Sequence, residues 1–333
     1  MITMKKRNYL VTLLVGGVVA LTSISCKDSD PKPAALKPGS DDLVSPVFEE
    51  NLANIKQSFS VNSETGGDIK GAQGTIIRFF ANSFLKSNGD PVTGDVDIKL
   101  VEIYKKSAML FTKMPTQGRT DDDKIATLVS GGEFYVDASQ DGEQLKPNGN
   151  YMIIAPTETT GGEDANMKPF EGVKECDNNG CDVVWKQQDR DIKIGGADGQ
   201  GGVIESAYQV FQSQFGWTNI DRWYSDPRDK TTIFVDVPEG FDNTNCAVYL
   251  SYDGLGSSLA LFDTYSAATG LFTEHYGLIP IGLEVHFIMI SIIDDQWYYS
   301  IHAATIGVNH VETFTSLQPT TEAELSVLVD ALP

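Results

Sequence analysis

Val96-Asp97-Ile98-Lys99-Leu100-Val101-Glu102-Ile103-Tyr104 is the stretch that decides the fold. Its apolar and polar residues alternate, which is the pattern of a strand with one buried face and one wet face. Similar runs flank it. Thr75-Ile76-Ile77-Arg78-Phe79-Phe80 precedes it, and Gly132-Glu133-Phe134-Tyr135-Val136-Asp137-Ala138 and Tyr151-Met152-Ile153-Ile154-Ala155 follow. Turn signals separate them at Asn88-Gly89-Asp90, Asp141-Gly142 and Asn148-Gly149. Short strands at this spacing, with no long helical periodicity among them, predict a β-sandwich over residues 44–157.

The C-terminal part repeats the theme. Thr232-Ile233-Phe234-Val235-Asp236-Val237, Ala247-Val248-Tyr249-Leu250-Ser251-Tyr252 and Leu259-Ala260-Leu261-Phe262 read as strands. So do Val285 to Ile293 and Trp297-Tyr298-Tyr299-Ser300-Ile301-His302, with Asp294-Asp295 as a hairpin turn between them. Thr321-Glu322-Ala323-Glu324 forms a capping box ahead of Leu325-Ser326-Val327-Leu328-Val329, so a short helix is expected near the C-terminus. Residues 204–333 are read as a second β-rich domain. Residues 158–203, poor in apolar content and rich in glycine, are read as a linker carrying a small hairpin. The expected fold class is therefore mainly β, with two β-sandwich-like domains in tandem and a short C-terminal helix.

The order Gly66-Gly67-Asp68-Ile69, Gly74-Thr75-Ile76-Ile77, Ala81-Asn82-Ser83-Phe84 and Gly94-Asp95-Val96-Asp97-Ile98 resembles the β-sandwich module of ankyrins and netrin receptors. Phe80-Ala81 stands where that family carries a proline-containing turn. The continuation through Met109-Leu110, Pro115-Thr116 and Ser130-Gly131-Gly132-Glu133-Phe134 is similar to secreted Bacteroidetes relatives of the module. The resemblance covers about 100 residues of this kind of domain. It implies a binding or spacer module and carries over no catalytic residue.

The N-terminus gives an address. Lys5, Lys6 and Arg7 precede an apolar run from Tyr9 to Leu21, and small residues lead to Ser23-Ile24-Ser25-Cys26. The run is short for a bilayer crossing, which needs about 20 apolar residues. The pattern resembles a bacterial lipoprotein signal over residues 1–25, with Cys26 as the lipidated first residue of the mature chain. Residues 26–43 hold three prolines and few apolar side chains, so they read as a flexible tether. A lysine and acids directly after Cys26 are similar to the export signal of Bacteroidetes surface lipoproteins. The expected location is the outer membrane, held by the lipid, with the folded part exposed on the cell surface; a tether facing the periplasm is the alternative.

The formal net charge is −21, and removing residues 1–25 takes away three cations and no anions, which leaves −24. Such a field repels phosphate backbones, so nucleic acid is excluded as a partner. Cys176 and Cys181 bracket the turn-rich Asp177-Asn178-Asn179-Gly180. In an oxidising compartment this spacing allows a disulfide across a hairpin tip, with a zinc site as the competing reading. Cys246 lies in a strand-like run and reads as a buried free thiol.

Catalytic signals are weak. The four histidines, His275, His286, His302 and His310, fall in the C-terminal part without a His-Glu-x-x-His pattern. His286 and His302 sit in strands, where a satisfied half-buried ring is the ordinary case; His275 and His310 read as loop residues. No Gly-x-Ser-x-Gly elbow appears, and Gly254-Leu255-Gly256-Ser257-Ser258 fails the spacing. No catalytic residue, metal ligand or cofactor is assigned. The best binding candidates are aromatic: Trp223 and Tyr224 in one string, and Trp297 and Tyr299 in another. Trp217, on the same strand face as Trp223, reads as core. The expected function is a non-enzymatic surface protein binding a glycan or a protein partner. A hydrolase acting on extracellular polymers and a structural spacer are the alternatives.

Overall fold

The alternating stretch forms the strand Asp95–Ile103, and its burial explains both its pattern and its break. Val96, Ile98 and Leu100 point into one apolar core, while Asp97 and Lys99 face outward. From Val101 the opposite face is covered too, because Val101 and Ile103 enter a second core. This computed structural model describes residues 36, 44–177, 180–199 and 202–333. The signal at 1–25 and Cys26 lie outside the described residues. Of the tether 26–43 only Leu36 is described, packed against the core of the C-terminal body.

The chain is mainly β, in two sandwich-like bodies with a short C-terminal helix. In the first body, an eight-stranded sheet and a five-stranded sheet enclose Ile77, Phe79, Ile98, Phe134, Ile153 and Val210. The long strand Ile125–Gln140 is the spine of the larger sheet. It pairs with Asp95–Ile103 along one half and with Gly216–Trp223 on its other side. The register shifts at Ser130 to Glu133, where Gly131-Gly132 form a bulge. Gly132 has φ +124, and a Cβ there would meet the Phe134 and Tyr104 rings at 2.6 Å, so only glycine fits.

Residues 158–203 differ from the linker reading. Lys168–Asp177 pairs with Gly216–Trp223, and Gly180–Gln187 continues the same sheet. Lys193–Gly199 and Gly202–Gln212 join the five-stranded sheet, although this glycine-rich run reads as a loop. The low apolar content reflects strands that are half-exposed, and pairing with neighbours overrides weak local propensity. Gln117–Arg119 pairs with both Gly180–Gln187 and Ile125–Gln140, closing five strands into a ring around Leu128, Phe170 and Trp185. Gly118 permits that closure, since a Cβ would lie 2.8 Å from the Trp223 ring. The first body thus extends through Trp223. Cys176 and Cys181 are cross-strand partners in the Lys168–Asp177 and Gly180–Gln187 hairpin. Their side chains lie outside the described residues.

The second body pairs a four-stranded sheet with a five-stranded one, ordered Leu259–Leu261, Cys246–Tyr252, Glu284–Ile293, Gln296–Thr305, Gln318–Thr320. Asp294 and Asp295 both take positive φ in the two-residue hairpin turn. Thr321 and Glu324 complete the capping box of the helix Glu322–Asp330. His275 lies in the strand Leu271–Pro280 rather than in a loop, where it is exposed. Two further helices carry no helical signal in the sequence: α1 (Val44–Asn54) and α2 (Lys106–Thr112).

Helix α2 joins the bodies. Met109, Leu110 and Phe111 pack with Val101, Ile103 and Trp185 of the first body and with Tyr249, Leu259, Ile288 and Ile290 of the second. The Tyr249 hydroxyl donates to the Leu110 carbonyl at 3.2 Å, and Trp185 Nε1 donates to the Pro115 carbonyl at 3.0 Å. Hydrogen bonds stitch the same seam. Leu261 N donates to Gln117 Oε1, and Ser257 and Ser258 donate to the carbonyls of Ser130 and Leu128. Leu110→Ala opens a cavity in this shared core and is expected to cost about 2–5 kcal/mol. Tyr249→Phe, which removes one of the two donors to the buried Leu110 carbonyl and leaves Lys113 N, is expected to cost about 1 kcal/mol. Urea unfolding of the two variants checks both the size and the order.

Candidate functional site

The four aromatic candidates separate in space. Trp223 lies at the end of Gly216–Trp223, half-buried, with Phe170 edge-on at 5.4 Å. It shares the shared-core face with Trp217, which packs against Trp185 and Tyr135. Trp223 Nε1 donates to Gln187 Oε1 at 2.7 Å, which fixes the plane of the indole. Its outer side forms one wall of a groove of about 640 Å³ whose other walls are polar: Arg119, Thr120, Asp121, Lys186, Gln188 and Asp189.

The charges in this groove are held from beneath. Arg119 binds Glu175 through two nitrogens and Asp123 at 2.9 Å, and Lys186 reaches Glu175 at 3.1 Å. The hydrogen bond from Arg119 holds the Glu175 carboxyl below the usual carboxylate range. With the cations internally paired, the site presents an aromatic surface beside amides, a hydroxyl and oriented charges. That chemistry suits a neutral, hydroxyl-rich ligand.

Tyr224, the next residue, faces elsewhere. It packs edge-on to Tyr252 at 5.2 Å, donates to Asp226 at 3.0 Å, and lines a small cavity of about 120 Å³. Trp297 is partly buried in the shared core, T-shaped to Phe111 at 5.0 Å. These two serve packing. Tyr299 lines a separate groove of about 510 Å³ between the strand Gln296–Thr305 and the C-terminal helix. Ser300, His302 and His286 line the same groove.

Two strand histidines, His286 and His302, are paired with carboxylates. His286 Nδ1 lies 2.8 Å from Asp253, and His302 Nδ1 lies 2.7 Å from Glu312. Sequence reading missed Arg119, Lys186 and Gln187 as groove residues, because their convergence depends on ring closure. It missed Glu312 because that residue comes from the opposite sheet. It also passed over Ser300, although a spacing of two residues on one strand puts it on the same face as His302.

Buried acids mark the interior. Glu133 and Asp221 are fully buried near the bulge, and burial pushes both carboxyls well above the ordinary range. Asp221 accepts from Asn219 Nδ2 at 2.7 Å, and Ser130 donates to Asn219 at 3.0 Å. Cys246 is a buried free thiol, and burial raises it out of the reactive range. Among the described residues, no group of three or more His, Cys, Asp or Glu side chains is placed to hold a metal ion. No helix among them is long and apolar enough to cross a membrane. No protein-family model matches the sequence, and comparison with curated proteins finds no match.

Glu274 shares the small cavity with Tyr224, and burial pushes its carboxyl up from 4.5 to about 7. The folded state therefore holds a proton that the unfolded state has released between these values. The stabilisation is full below about pH 4.5 and is lost as pH rises through about 7, with a slope of up to about 1.4 kcal/mol per pH unit. Glu274→Gln removes this contribution. The difference in unfolding free energy between wild type and variant, measured from pH 4 to 8, is expected to show that slope.

Proposed function

We propose that this chain is a lipid-anchored envelope protein that binds glycans in the groove beside Trp223. The observation that carries the reading is the immobilised indole against polar walls in a groove of about 640 Å³. That volume falls in the range of small-ligand sites, about 300–1,000 Å³. Sugar rings present apolar C–H faces ringed by hydroxyls. Trp223 offers the stacking surface, and Thr120, Gln188, Asp121 and Asp189 offer donors and acceptors at its rim. A protein hot spot would place more apolar area around the anchor, which favours a glycan over a protein partner.

The address belongs to the same proposal. The apolar leader, Cys26 and the tether support anchorage in the outer membrane with the folded bodies at the cell surface. A reach beyond the membrane suits a binding module, because the tether lets the groove meet extended polymers.

Trp223→Ala is expected to weaken glycan binding by about 30-fold or more, the size of a hot-spot loss. Trp223→Phe, which keeps an aromatic face, is expected to lose less. Titration of oligosaccharides against intrinsic fluorescence, with thermal melts as the folding control, reads both. Equal binding by wild type and Trp223→Ala would contradict the assignment. Protease shaving of intact cells is expected to remove the folded bodies while a periplasmic control survives. Cys26→Ala is expected to abolish labelling by a fatty-acid precursor.

A further inference from the structure

The geometry points to a second site: Ser300, His302 and Glu312 form a nucleophile–base–carboxylate relay for hydrolysing carboxylic esters with an apolar acyl group. Ser300 Oγ lies 3.3 Å from His302 Nε2, and His302 Nδ1 lies 2.7 Å from Glu312 Oε1. Ser300 and His302 project from the same face of Gln296–Thr305, whereas Glu312 comes from Val311–Thr313 in the facing sheet. The relay is thus braced between two sheets. Phe314 holds the His302 ring at 4.5 Å, and His310 Nε2 contacts the other Glu312 oxygen at 3.3 Å. Exposure falls along the relay, from 35% for the His302 side chain to 17% for Glu312.

That order suits the chemistry. A carboxylate accepting from Nδ1–H fixes the imidazole tautomer, leaving the Nε2 lone pair toward the serine hydroxyl. Glu312 is a positioning residue; Ser300 and His302 touch the substrate. Both of these line the groove of about 510 Å³. Its walls include Ile301, Leu317, Leu328 and Leu332, which suit an apolar acyl chain.

The strand edge supplies donors for the oxyanion. Gln318–Thr320 pairs with Gln296–Thr305 only at Trp297 to Tyr299, so Ser300 to Thr305 form an outer edge without a partner strand among the described residues. Ile306 N and O bond toward residues 282–283 on the inner side. Hairpin alternation then turns the N–H groups of Ile301 and Ala303 outward into the groove. The Ile301 N–H directly follows the nucleophile.

In the reaction, Ser300 Oγ bonds to the ester carbonyl carbon as its proton passes to His302 Nε2. Collapse of the tetrahedral adduct breaks the ester C–O bond, and the leaving alcohol takes that proton. Water, deprotonated by the same nitrogen, attacks the acyl-serine. The carboxylic acid departs, and Ser300 recovers its proton.

A fluorophosphonate probe followed by peptide mass spectrometry, together with hydrolysis of p-nitrophenyl butyrate, tests the site on the full chain. Wild type is expected to be labelled at Ser300 and to turn over. Ser300→Ala and His302→Ala are expected to lose at least about 100-fold in turnover. Glu312→Gln is expected to lose about 100-fold or more in kcat with KM held, as a positioning residue should. Ser300→Cys keeps the side-chain volume and is expected to be alkylated by iodoacetamide at position 300. An unlabelled, inactive wild type would overturn the proposal. So would Ser300→Ala turning over like wild type, or Ser300→Cys resisting alkylation.

Discussion

The structure depends on one apolar seam. Leu110, Phe111, Trp185, Tyr249, Ile288 and Leu325 belong to a single buried cluster drawn from both bodies. Each sandwich has its own core, and the Val101 and Ile103 end of the outer face of Asp95–Ile103 lies in the shared cluster while Asp97 stays exposed. Burying that end makes Val101 and Ile103 stabilising rather than exposed, by the ordinary hydrophobic effect. Hydrogen bonds between the Thr116 to Ser130 segment and residues 257–261 then fix the register of the two surfaces. Apolar burial supplies the drive, and the polar contacts supply the geometry.

Both grooves inherit their shape from this seam. The ring that frames Trp223 is filled by Leu128, Phe170 and Trp185, all members of the shared cluster. The C-terminal helix that walls the second groove is rooted there through Leu325 and Val329. Its N-terminal box and the contact of Asp330 with Ser107 N at 3.0 Å hold it at both ends. The residues proposed to bind or react can stay half-exposed because the elements carrying them are anchored from beneath.

The strands were legible because their signals are local. Alternation marked Asp95–Ile103, the Asp-Asp pair marked a hairpin, and Thr321 to Glu324 marked a helix start. The doublet Leu100-Val101, which moves the apolar positions from one face to the other, was a local trace of the second core. Helix α2 left no pattern, since it is short and buried on nearly all sides. The strands of 158–203 were hidden because their stability comes from neighbours distant in sequence. Of the sites, only the Trp223 aromatic was read from its strand; Ser300 and His302 share a strand face but were not singled out as a pair. Their partners could not be read, because Arg119, Lys186 and Glu312 arrive from other strands.

Differential scanning calorimetry of the purified chain tests the shared core most directly. One core serving both bodies predicts a single endotherm whose calorimetric and van't Hoff enthalpies agree. Two resolved transitions, one for each sandwich, would contradict it.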